Sequence, residues 1–87
     1  MAERLLTEYS DLISDQGRQI ASENLAAGEQ WFVVWQMLEL GMEAKRLSPA
    51  DAARGLELAN VGCIFGRRTS PWLAEQLTAY QRRLVAA

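Results

Sequence analysis

The chain has 87 residues, 49% hydrophobic and 23% charged, with net charge −2, three tryptophans, one cysteine and no histidine. That hydrophobic share excludes a disordered chain, the length allows one small domain, and a single cysteine excludes an internal disulfide. Without histidine there is no Ser-His-Asp triad, no Cys-His pair and no imidazole metal ligand.

The net charge hides an asymmetry. Residues 1–43 carry eight acids against Arg4 and Arg18, whereas residues 44–87 carry three acids and seven bases. Such a split serves packing within the fold, orients two chains head-to-tail, or steers a charged partner to one end. The longest apolar stretch, Trp31 to Met37, is broken by Gln36 and too short to span a bilayer. Met1-Ala2-Glu3-Arg4 lacks the order of a signal peptide. The expectation is a cytoplasmic protein, one helical domain over 1–87, with no membrane partner.

The spacing predicts a first helix over about 3–14, with Leu5, Tyr9 and Leu12 on one face and Leu6 and Ile13 widening it. Ser14-Asp15-Gln16-Gly17 marks an interruption, because glycine and short polar side chains disfavour helix interiors. Helical pattern resumes over 18–46, and whether Gly17 and Gly28 break it stays open. Ser48-Pro49-Ala50-Asp51 reads as an N-cap, a proline at the first helical position and an acid at the third, opening a helix over 49–61. Its inner face, Ala52, Leu56 and Ala59, is small and suits close approach. Ser70-Pro71-Trp72 repeats the serine–proline start for a helix over 71–85, with Leu73, Leu77, Tyr80 and Leu84 forming one stripe. The fold class is all-α: a bundle of about four helices around a central apolar one.

That central helix contains Trp31-Phe32-Val33-Val34-Trp35. At 100° per residue, Glu29, Phe32, Glu39 and Glu43 cluster around Gln36, and the apolar residues cover about 220° of the remainder. A surface helix needs an apolar arc of only about 100°. The surplus requires either complete enclosure within the bundle or a second chain. Trp31, Val33, Trp35, Met37 and Leu40 are therefore candidate partner-binding residues. Gly41 and Ala44 on the same arc permit close helix approach.

Between the last two helices, Gly62-Cys63-Ile64-Phe65-Gly66-Arg67-Arg68-Thr69-Ser70 is the second candidate. Ile64 and Phe65 serve either as core plugs or as anchors in a partner pocket. Arg67, Arg68, Thr69 and Ser70 at a helix start form a candidate anion site. Cys63 is expected as a buried or incidental thiol. The pairs Glu39/Glu43 and Asp11/Asp15 have helical spacing but read as solvated charge, and Gly62 and Gly66 make no phosphate loop.

No catalytic residue, metal or cofactor is expected. The function indicated is a non-enzymatic protein-interaction module, a small regulatory or inhibitory chain that binds a larger protein or itself, with a homodimer among the options. Two alternatives stand beside it: a helix-turn-helix-like DNA-binding regulator using the basic C-terminal half, and a structural subunit of a larger complex. The acidic balance weighs against nucleic acid, as does a connector longer than three or four residues.

Overall fold

A computed structural model describes residues 1–86. Among them every regular element is helical. There are five α-helices where the sequence spacing gives about four: α1 (Ala2–Glu8), α2 (Asp15–Ala26), α3 (Gln30–Glu43), α4 (Pro49–Ala59) and α5 (Thr69–Ala86). The chain divides into two compact units, Met1–Lys45 and Arg46–Ala87.

In the first unit, α1 and α2 both pack on α3. The first helix is shorter than 3–14. It ends at Glu8, Tyr9 leaves the helix at φ −107°, and a 3₁₀ turn covers Ser10–Leu12. Serine and aspartate favour local turns over helix interiors, which accounts for the early stop. Leu5 and Tyr9 are buried, and Leu6, Leu12 and Ile13 are half-buried.

The interruption at Ser14 is a helix start. Ser14 is extended and its hydroxyl accepts the Gly17 N–H at 3.0 Å, so α2 opens at Asp15 with Gly17 inside its first turn. Glycine belongs there for steric reasons: a Cβ on Gly17 would lie 2.9 Å from Ile13 Cγ1.

Gly28 resolves the open question about the following pattern, because it breaks it. At φ +83° it lets its own N–H reach the Leu25 carbonyl, and the Glu29 N–H reach that of Asn24. This crossed pair is a Schellman cap, closing α2 before α3 begins. At the far end of α3, Lys45 adopts φ 58° without being glycine.

The second unit is the α4–α5 pair. The Ser48 hydroxyl accepts the Asp51 N–H at 3.1 Å, and Pro49 opens the helix as its spacing predicts. Leu47, just before the cap, and Ala52 are both buried, the apolar positions of a hydrophobic staple. Tyr80 on α5 donates its buried hydroxyl proton to the Leu47 carbonyl at 2.6 Å, tying the entry of α4 to α5. Leu73, Leu77 and Tyr80 are buried as the stripe predicts, but Leu84 is exposed. On α4, Ala52 and Ala59 are buried with Gly55 and Leu58, and Leu56 is half-buried.

The start of α5 differs from the serine–proline reading. The helix begins at Thr69, and Ser70 lies within its first turn. Ser70 is buried, and its hydroxyl accepts the Phe65 N–H at 2.9 Å, fastening the connector to the helix. Pro71 still falls where a missing N–H costs no intrahelical bond.

Candidate functional site

Helix α3 carries the candidate surface. Val33, Val34, Met37, Leu38 and Gly41 are buried and occupy about 140° of its circumference. Val33 and Met37, two of the residues singled out for partner contact, are thus core residues. Trp31, Trp35 and Leu40 from the same group are half-buried, as is Met42. Beyond the buried arc stand Trp31, Met42 and Trp35, and past them Phe32, which is 45% exposed.

The Phe32 and Trp35 rings meet edge to face, with centroids 5.6 Å apart and planes at 80°. This geometry sets the positive edge of one ring against the negative face of the other, a contribution of about 0.5–1.5 kcal/mol beyond area burial. The aromatic pair is therefore held in place without becoming buried. The Trp35 Nε1 and Gln36 Oε1 atoms are shielded from solvent with no hydrogen-bond partner among the described residues.

The aromatic surface has an acidic margin. Glu39 is half-buried and Glu43 exposed, four residues apart on α3. Burial, and then the Glu43 carboxylate, push Glu39 above its ordinary range. Its charge is partly stripped of water and faces a like charge, so a cation brought to this margin would be favoured.

The connector residues occupy other positions. Ile64 and Phe65 are half-buried, with the Phe65 N–H engaged by Ser70. Arg67 and Arg68 are exposed, Thr69 is half-buried and Ser70 is buried. The Ser70 hydroxyl is thus committed to the connector, leaving the two arginines as the exposed part of the anion candidate. Cys63 is a free, exposed thiol, not a buried one. An open groove of about 470 Å³ runs between α4 and α5, lined by Leu56, Asn60, Ala74, Glu75, Thr78, Ala79 and Arg82.

No family model, curated protein or solved structure matches the chain. Function has to be read from its own surfaces. Among the described residues, no group of three or more His, Cys, Asp or Glu could hold a metal ion, and no helix is long and apolar enough to cross a membrane.

Phe32 is the functional candidate that the helical wheel obscured. Its angle puts it with Gln36, Glu39 and Glu43, so it reads as one apolar residue on a polar strip. The available signal was that misfit: a large aromatic residue at a position that folding leaves in water.

Proposed function

We propose that the chain is a non-enzymatic protein-interaction module acting through the outer face of α3, a small regulatory protein that works by occupancy of a protein surface. The observation that carries this reading is the exposed Phe32 stacked edge to face on half-buried Trp35, beside a buried arc that already satisfies the packing of α3. Aromatic side chains supply large contact areas with little rotamer entropy to lose, and they dominate the energetics of protein interfaces. The lone thiol of Cys63 suits a reducing, cytoplasmic setting.

The test is affinity capture with the tagged full chain from its native extract, under nuclease and high salt, in parallel with Phe32→Ala and Trp35→Ala chains. A protein retained in stoichiometric amount by the wild type and lost by both variants supports the module. Capture that is indifferent to both substitutions refutes the α3 face. Nucleic acid recovered through Arg67 and Arg68 would transfer the function to the connector.

A further inference from the structure

The two exposed aromatic side chains among the described residues are Phe32 on α3 and Trp72 on α5, at 45% and 42% exposure. Each begins a strip with the same spacing. On α3 the strip runs Phe32, Gln36, Glu39, Glu43, and on α5 it runs Trp72, Gln76, Ala79, Arg83. Steps of four, three and four keep each strip within about 60° of one helix face. The same steps recur along any one face of an α-helix, so what distinguishes the two strips is the chemistry they carry. Every member of both strips is exposed or half-buried.

Laid side by side in the same direction, the strips match in chemistry. Phe32 falls opposite Trp72, Gln36 opposite Gln76, and Glu43 opposite Arg83. The small Ala79 falls opposite Glu39, leaving room for its carboxylate beside the guanidinium one turn further on. The reversed direction sets Glu43 against Trp72 and Phe32 against Arg83, losing both the aromatic and the ionic match.

We propose that α3 of one chain pairs in parallel with α5 of a second copy through these strips. Charge complementarity identifies the occupant. Met1–Lys45 holds eight acids and three bases, Arg46–Ala87 three acids and six bases, so the chain itself supplies a basic partner for its acidic helix. The aromatic pair supplies most of the affinity, since exposed ion pairs contribute little. The charges set direction and register. The upward push on Glu39 agrees, since an arriving arginine would relieve it.

The inference rests on the proposed use of the α3 face, and sedimentation equilibrium of the full chain separates the two. The wild type is expected to self-associate reversibly by high micromolar concentration. Phe32→Ala and Trp72→Ala should each weaken that association roughly tenfold or more. Glu43→Arg and Arg83→Glu chains should each associate more weakly than wild type, and their equimolar mixture should associate more tightly than either alone. Circular dichroism of each variant must show wild-type helix content. A wild type that stays monomeric, or swapped chains that fail to rescue one another, overturns the pairing. Sensitivity to Phe32→Ala but not Trp72→Ala also overturns it, while leaving α3 as an interaction face. Self-association indifferent to both aromatic substitutions overturns the pairing and lies on another surface.

Discussion

Replacing Tyr80 with phenylalanine isolates one hydrogen bond. Tyr80 is 4% exposed and its hydroxyl donates to the carbonyl of Leu47, a residue 2% exposed, at 2.6 Å. Phenylalanine keeps the ring and its packing, so no large cavity opens. What changes is that a buried acceptor loses this donor, a cost of about 1–3 kcal/mol. For a domain of this length each kcal/mol moves the unfolding midpoint by about 4–8 °C, so Tyr80→Phe should melt roughly 4–24 °C lower. Urea unfolding should show a lower midpoint with an unchanged slope, since the exposed surface is the same. Because the bond anchors the entry of α4, amide exchange should also quicken at Asp51, whose N–H is held by Ser48. An unchanged midpoint with unchanged exchange would refute the view that this bond fastens α4 to α5.

Ser48→Ala removes the α4 cap and should cost about 0.5–2 kcal/mol by urea unfolding, with Ser48→Gly costing less. Gly28→Ala should destabilise by about 1–2 kcal/mol although nothing lies within 4 Å of the added methyl, because φ +83° disfavours an L side chain. Glu39→Gln should raise the melting temperature at neutral pH. The folded-state pKa of Glu39 lies above its unfolded value, so the folded chain binds the proton more tightly and stability falls as pH rises through that window. The penalty is complete above the window, and the advantage of glutamine should therefore vanish as pH falls below the ordinary carboxylate range. An advantage that is constant with pH would mean that packing, not charge, is responsible.

Local chemistry was legible where one residue type has one structural use. Ser48-Pro49 announced its cap, the Leu73–Leu77–Tyr80 stripe announced its buried face, and the all-helical class followed from the period. Gly28 was harder, because a glycine in a helical pattern is either tolerated or a terminator, and its backbone φ decides which. Ser70 misled because the same serine–proline pair that caps α4 serves α5 from within its first turn. Its hydroxyl is turned to a backbone N–H of the connector, a contact that no local pattern encodes. The division of α3 into core and surface was partly hidden for a related reason. Val33 and Trp35 are equally apolar in a helical wheel, yet the packing of α1 and α2 on α3 leaves one buried and the other half-buried.

That division bears on why the aromatic residues sit where they do. The buried arc of about 140° already exceeds the width an ordinary surface helix presents to its core, so folding alone does not call for Phe32. The Phe32–Trp35 pair offers apolar contact area that a polar residue at position 32 would not. Phe32→Ser should accordingly cost no more than about 2 kcal/mol of unfolding free energy, the loss of its edge-to-face contact with Trp35 added to the range of ordinary surface changes. The same substitution should abolish association through α3. Stability retained with association lost would separate the requirements of the fold from those of the surface. A large loss of stability would instead assign Phe32 to the core of the first unit and remove the main support for an interaction face.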